Sequence, residues 1–497
     1  TLLLVSYSTM PPWKHLLFTI ISAIVQLNAK GESSLPYVWP LPAKYVSGSQ
    51  VLSVDNSLSL VTSGPGGESE IINSAFLRYK KIIFKHAAST LRLYGKENQS
   101  TYDITKLKIN VQSNNEELQL GVDESYTLFA ATNNESSIID EVSIDAKTVY
   151  GAIRGLETLS QLCIFNFATK KVEIHDAPLY IEDHPRFPYR GLLIGNLFIN
   201  HHILDSNYRV TDSSRHFLPI DVIKGIIESM SYAKLNVLHW HIIDEQAFPM
   251  EVPSHPKLWD GSYTKWERYT VEDAREIVKF ARMRGVNVMA EVDVPGHGES
   301  WGVGYPDLWP SPSCREPLDV SKPFTFDVLD GILADFRKIF PFELFHLGGD
   351  EVNTSCWDSS EHIREWMEER NTTAEGAYRY FVLEAQKLAI SKEWTPVNWE
   401  ETFTNFGRRL NPETVVHNWL RDGVCKEAVA EGFKCIYSNQ RSWYLDHLDV
   451  PWERVYGEEP LEGIEKASEQ ALVIGGGGCM WGGTADAPGG PQTIWAR

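Results

Sequence analysis

From Tyr189 onward the chain alternates short apolar runs with amphipathic stretches, and this rhythm constrains the fold more than any other feature. The runs are "YRGLLI" (189–194), "NVLHWHIID" (236–244), "NVMAEVDVP" (287–295) and "LFHLGGDE" (344–351). They continue with "WTPVNWEE" (394–401), "TVVHNWL" (414–420), "KCIYSNQ" (434–440) and "LVIGGGGCMWG" (472–482). Runs this short and this apolar read as strands covered on both faces. Between them, "TVEDAREIVKFARMRG" offers Thr270 as a cap, Asp273 as its capping-box partner and Gly285 as a stop. "IDVIKGIIESMSYAK" puts Ile223, Ile226, Ile227 and Met230 on one helical face. Eight such strands alternating with helices predict an α/β fold, a (β/α)8 TIM barrel, over residues 187–497. An open doubly wound sheet is the competing arrangement. No glycine-rich phosphate fingerprint opens a helix here, and a count of eight favours closure.

Residues 36–180 have a different texture and read as a small α+β domain. "LKINVQ" and "ESYTLFA" alternate like half-buried strands. "TVYGAIRGLETLSQLC" has helical spacing, with Val149, Ile153, Leu156, Leu159 and Leu162 on one side. Nothing in this segment suggests chemistry. Ahead of it, "MPPWKHLLFTIISAIVQLNA" starts at Met10, carries Lys14 and runs apolar from Leu16 to Val25. That run is short for a bilayer and fits a secretory signal, so residues 1–29 are expected to be upstream residues plus signal, with no stable membrane span.

Composition excludes one class of partner. Forty-six basic against 66 acidic residues give a net charge of −20, which argues against nucleic acid. Sixteen Trp and 20 Tyr include enough flat aromatic faces to pack against sugar rings as well as to fill a core. Six cysteines fit an oxidising compartment without forming a dense framework. Cys314 and Cys356 both fall near the expected active face and are the first choice for a disulfide. Sequons make Asn98, Asn134 and Asn371 glycosylation candidates. A fourth, at Asn353, lies too close to an acid pair to be expected to carry a glycan.

In such barrels chemistry gathers at the C-terminal strand ends. There the sequence places Asp244, Asp293 with His297 just beyond, and the neighbours Asp350 and Glu351. Trp399, Glu400 and Glu401 follow, then Trp419, Tyr444, Asp446 and Trp481. Singly, each has a plain reading: a Trp packs, an Asp caps a helix, a His fills a core. Their concentration on successive strand ends is the signal. Carboxylates with aromatics, and no Ser–His pair, suggest a glycosidase. Metal binding by Asp293, His297 and Asp350 is the alternative use of the same side chains, weakened by the absence of a compact ligand motif.

The motifs "VLHWHIID", "AEVDVPGHGESWG", "HLGGDEVNTSCW", "NWEET", "HNWL", "WYLD" and "CMWG" resemble family 20 glycoside hydrolases, the β-N-acetylhexosaminidases, and the plant type in particular. The resemblance runs over roughly residues 36–497 in the family's order. It implies retaining, substrate-assisted removal of terminal β-linked N-acetylglucosamine or N-acetylgalactosamine from an oligosaccharide or glycoconjugate, through an oxazolinium intermediate. By the same resemblance Glu351 is the general acid/base, and Asp350 orients the acetamido group and stabilises its positive charge. Arg215 holds sugar hydroxyls; Trp399, Trp419 and Trp481 wall the sugar; Tyr444 donates to the acetamido oxygen and Asp446 contacts the sugar. Asp244 and His297 support the acid pair. No cofactor and no metal are implied. Dimers are common in the family, so a homodimer is expected, in a vacuolar, lysosomal or extracellular setting with a mildly acidic optimum.

The chain departs from the family pattern in three places. Residues 195–211 interrupt the first strand end before "DSSRHFLP" and are expected to disturb Arg215. Gly483 stands where the family carries a sugar-binding Glu. The sequence stops at "QTIWAR", from which a barrel truncated at its last helix is expected. These departures keep a second reading open, an impaired homologue that binds such sugars without cleaving them.

Overall fold

The computed structural model describes residues 37–86, 102–131, 141–195, 217–481 and 494–495. The signal stretch from Met10, the sequons at Asn98 and Asn134, Arg215, Gly483 and all of the insert except Gly195 lie outside the described residues.

The first unit is one mixed sheet built from β1 (Lys44–Val46), β2 (Gln50–Ser63), β3 (Ile104–Val111), β4 (Tyr126–Ala130), β5 (Glu141–Ala146), β6 (Cys163–Asn166), β7 (Lys171–Ala177) and β8 (Leu179–Asp183). Its spatial order is β1-β8-β4-β5-β3-β2-β7-β6. The helices Glu70–Ile83 and Val149–Leu162 share its core, and the five apolar residues expected on one side of the second helix are all buried. The last strand runs to Asp183, past the boundary expected at 180, because β8 pairs with both β1 and β4 through that end.

The second unit is the barrel. Its strands are β9 (Tyr189–Gly195), β10 (Val237–Ile243), β11 (Asn287–Val292), β12 (Leu344–His346), β13 (Thr395–Trp399), β14 (Val415–Asn418), β15 (Lys434–Tyr437) and β16 (Val473–Met480). All pair in parallel, and β16 closes on β9 with Gly475 beside Tyr189 and Met480 beside Ile194. All eight expected runs are strands. The helix Val271–Arg282 begins with the expected reciprocal cap between Thr270 and Asp273, and the helix Ile220–Tyr232 buries Ile223, Ile226, Ile227 and Met230. The expectation of an incomplete last helix falls on the stretch after Trp481, of which only Ile494 and Trp495 are described.

Strand alternation sorts the barrel into shells. Leu238, Trp240 and Ile242 of β10 face outward into the helix-covered core. Val237, His239 and His241 face inward. Val237 joins Met289, Leu344, Val397, Val415 and Ile436 in an apolar floor. The two histidines rise above that floor toward the open rim. Arg154 ties the units together: it donates to Glu124 at 2.7 Å and to the Gly285 carbonyl at 2.8 Å, while Arg190 of β9 meets the same Glu124 at 2.7 Å. Among the described residues no helix is long and apolar enough to cross a membrane.

Candidate active site

β12 stops at His346, so strict alternation has ended before Asp350 and Glu351 are reached. The backbone instead turns left-handed at Gly348 (φ 60°), Gly349 (φ 90°) and Glu351 (φ 49°). Both glycines are obligatory here. A Cβ on Gly348 would lie 1.8 Å from Asp293 Oδ1, and one on Gly349 would lie 2.8 Å from Thr402 Cγ2. The turn is pinned on several sides: Gly349 N–H donates to Asp293 Oδ1 (2.8 Å), Asn398 Nδ2 donates to the Gly348 carbonyl (3.1 Å), and the Tyr378 hydroxyl donates to the Gly349 carbonyl. The two acids leave this turn in different environments. The Asp350 side chain is 13 % exposed and that of Glu351 60 %.

His297, also left-handed at φ 52°, faces both acids. Its Nε2 lies 3.6 Å from Glu351 Oε2, 3.9 Å from Asp350 Oδ2 and 4.0 Å from Asp293 Oδ2. On the other side its Nδ1 meets Asp244 Oδ1 at 3.1 Å, and Asp244 Oδ2 meets His241 Nε2 at 2.5 Å. Asp244 and His297 therefore form a line behind Glu351 that fixes the imidazole's orientation. Burial, and then the neighbouring Asp293 carboxyl, push Asp350 well above the usual aspartate range. Burial also lifts Asp293, to about 7, against the pull of His297. In the substrate-free site the side-chain hydrogen bond with Asp293 adds to the upward push on Asp350. Asp350 Oδ1 is buried and has no hydrogen-bond partner among the described residues.

Beside the acids stands an aromatic box. Trp399, Tyr444, Leu193 and Cys479 form a buried cluster, with Trp419 and Trp481 packed on it. Ring centroids are 6.4 Å apart for Trp399–Trp419, 6.2 Å for Trp399–Trp481 and 6.2 Å for Tyr444–Trp481, and Trp419 lies nearly parallel to Tyr444 at 6.1 Å. Asp446 sits on the same loop as Tyr444, its carboxyl raised by burial. The structure thus brings together every proposed site residue it describes. The disulfide Cys314–Cys356 is present and anchors the helix Ser355–Ser359, which follows directly on Glu351 and its loop. Asn371 is exposed, with a left-handed backbone at φ 48°.

Sequence reasoning missed three features. A second disulfide joins Cys425 to Cys435. Glu401, counted at the rim but given no role, accepts the Trp419 indole N–H at 2.9 Å. Under the box lies a buried polar cluster: Glu291 contacts His239 at 2.8 Å, His241 at 2.8 Å and His346 at 3.0 Å, and accepts the Trp399 indole N–H at 2.8 Å. A charged residue inside the apolar run "NVMAEVDVP", and histidines two apart in "LHWHI", were the available signal. The Asp293, His297 and Asp350 donors do converge to within 4.8 Å, as do those of His239, Glu291 and His346.

A carboxylate pair at the mouth of a closed barrel, backed by an oriented imidazole and flanked by aromatic walls, defines a glycosidase. Comparison with known proteins sharpens this. The description "Glycosyl hydrolase family 20, catalytic domain" matches residues 208–497, and "beta-acetyl hexosaminidase like" matches residues 38–162. Over 97 % of its length the chain is 62 % identical to beta-hexosaminidase 1 of Arabidopsis thaliana, covering 87 % of that protein. It is 31 % identical to beta-hexosaminidase subunit beta of Mus musculus, over 97 % of this chain and 88 % of that one. Among solved structures, the chitobiase of Flavobacterium johnsoniae superposes with a TM-score of 0.78 at 26 % identity, covering 94 % of this chain and 68 % of that one. The chain belongs to glycosyl hydrolase family 20, and it is a glycosidase of the β-N-acetylhexosaminidase class.

Proposed function

We propose that this protein removes terminal β-linked N-acetylglucosamine or N-acetylgalactosamine with retention of configuration, the substrate's own acetamido group acting as nucleophile. The supporting observation is Asp350 Oδ1, buried and without a hydrogen-bond partner among the described residues, beside an aromatic box. An amide N–H is the donor that such an acceptor lacks. In the first step the acetamido oxygen bonds to C1 while the C1–O bond to the leaving group breaks, and Glu351 gives its proton to that oxygen. The amide becomes an oxazolinium cation. Asp350 holds its N–H and, on losing its own proton to solvent or to the Asp293 side, balances the positive charge. In the second step Glu351 takes a proton from water, the water oxygen bonds to C1, and the C1–acetamido bond breaks. Trp399, Trp419 and Trp481 exclude water from the amide, and Tyr444 donates to its oxygen. His297, held by Asp244, keeps Glu351 aligned.

The two disulfides support placing the chain in the secretory pathway, since such bonds persist in oxidising compartments. The test is hydrolysis of an aryl β-N-acetylglucosaminide followed by proton NMR. The reading expects the β-anomer first and no turnover of the matching β-glucoside. Release of the α-anomer first, or equal turnover of the glucoside, would sink it. Sugar binding with no turnover would support the impaired homologue instead.

A further inference from the structure

β13 ends at Trp399, and the helix Glu400–Phe406 follows at once, so Trp399, Glu400 and Glu401 are consecutive at the rim. The reading above uses only the first. The two acids converge on one neighbour. Glu400, 2 % exposed, accepts the backbone N–H of Trp419 (2.8 Å), Leu420 (3.0 Å) and Arg421 (2.9 Å), and Asn418 Nδ2 at 2.6 Å. It builds the loop that carries Trp419. Glu401 accepts the indole Nε1–H of that same Trp419 at 2.9 Å. One side chain fixes the backbone, and the next fixes the far end of the ring.

The other walls show why this matters. Trp399 is 1 % exposed and locked by packing, with its indole N–H on Glu291. Trp419 is only partly buried and packs on the box, its ring centroid 6.4 Å from that of Trp399 and 6.1 Å from that of Tyr444. Packing covers part of the ring, and the Glu401 hydrogen bond holds its indole N–H end. An indole released at its tip can swing about its side-chain bonds and widen the box.

We propose that Glu400 and Glu401 are positioning residues that clamp Trp419, and that this clamp makes the site selective for the size of the N-acyl group at the sugar's 2-position. This rests on reading the aromatic box as the acetamido pocket. A fixed wall rejects one extra methylene and presses the amide oxygen toward C1. A loose wall loses both effects, so kcat on the N-acetyl substrate should fall more than KM rises. Burial, and then the neighbouring Asp350 carboxyl, push the Glu401 carboxyl up to about 8. At working pH it is therefore a neutral acid, and glutamine reproduces both its charge and its accepting oxygen.

The test uses the full chain as parent, Glu401→Gln and Glu401→Leu, with aryl glycosides of N-acetyl- and N-propanoylglucosamine. Glu401→Gln should keep the acetyl-over-propanoyl ratio of kcat/KM within about twofold of the parent, while Glu401→Leu should lower it by about tenfold or more. A folded Glu401→Leu protein with an unchanged ratio, or with both substrates reduced equally, overturns the proposal. Glu400→Gln should act in the same direction; because it can cost the fold, the Glu401 pair decides. The clamp is also read without turnover. In 5-fluorotryptophan-labelled protein the Trp419 fluorine line, assigned with Trp419→Phe, should shift or broaden in Glu401→Leu and not in Glu401→Gln. An unchanged line overturns the clamp. A parent that does not hydrolyse the N-acetyl glycoside would sink the functional reading instead, and the fluorine line would still decide the clamp.

Discussion

Glu291 and Asp350 are carboxylates in the same barrel, one above the apolar floor and one at the rim, and their surroundings drive them in opposite directions. Burial acts on both and raises both. Around Glu291 the charges of His346, His241 and His239 outweigh it and hold the carboxyl well below the usual range. Around Asp350 the nearest strong influence is another acid, Asp293, and it adds to burial. Three imidazoles lie within 3.0 Å of the interior acid, and it accepts the Trp399 indole N–H. Each acid has one buried oxygen that makes no hydrogen bond among the described residues, but Glu291 Oε2 lies 2.8 Å from two imidazoles, whereas the nearest imidazole contact of Asp350 is His297 at 3.9 Å from Oδ2. Burial alone does not set the protonation of a carboxyl; the sign of its neighbours does. One acid is arranged to stay charged and hold a scaffold, the other to acquire a partner.

The largest effects should break each side of this contrast separately. Glu351→Gln removes the proton donor at the rim and leaves the scaffold intact. Its kcat on an aryl β-N-acetylglucosaminide should fall by about 10²–10⁴, with an unchanged melting temperature. Retained turnover would remove Glu351 from the acid/base role. Glu291→Leu does the reverse. It removes the carboxylate among three buried imidazoles and strips the Trp399 indole N–H of its acceptor, and should cost about 3–5 kcal/mol of stability. A denaturant midpoint equal to the parent's would show that the interior cluster holds nothing together.

The contrast also explains what could be read from the chain. Eight apolar runs alternating with amphipathic helices made the barrel legible, because a strand covered on both faces leaves a near-continuous apolar trace whatever its partners are. The rim was legible because parallel strands all end at one face, so Asp244, Asp350, Trp399 and Trp481 could be placed together without coordinates. Spacing could not reveal the left-handed turn at Gly348 and Gly349, since its cause is the Asp293 carboxyl pressed against it from another strand. For the same reason spacing could not reveal the direction in which Asp350 is pushed, which depends on Asp293, 57 positions away in sequence. Glu401 went without a role because its partner Trp419 meets it only across neighbouring strands.

Asp293→Asn sharpens the comparison at intermediate size. Asp293 raises Asp350, so replacing its carboxyl with an amide should let Asp350 ionise at lower pH. The acid limb of kcat/KM, where Asp350 loses its proton in the free enzyme, should then move down by on the order of one unit. An upward shift would mean that Asp293 acts chiefly as a hydrogen-bond partner favouring the ionised form, and the contrast with Glu291 would fail.

The smallest effect is thermodynamic. A carboxyl whose folded value is raised leaves the folded chain holding more protons than the unfolded chain, from the ordinary aspartate value near 3.8 upward. Stability should therefore be lost as pH climbs through that window, the opposite of what a salt-bridged aspartate does. Asp293, raised to about 7, extends the same trend toward neutrality. Asp350→Asn cannot ionise and is spared the Asp350 share of this loss. It should be more stable than the parent by about 1 kcal/mol at pH 7, and equal to it near pH 4, even as its kcat collapses. Melting temperatures of parent and variant across that range give the check. A variant less stable than the parent at neutral pH would show that Asp350 is held in place by its neighbours as a structural acid, as Glu291 is by its imidazoles, and that the rim is not waiting for an amide.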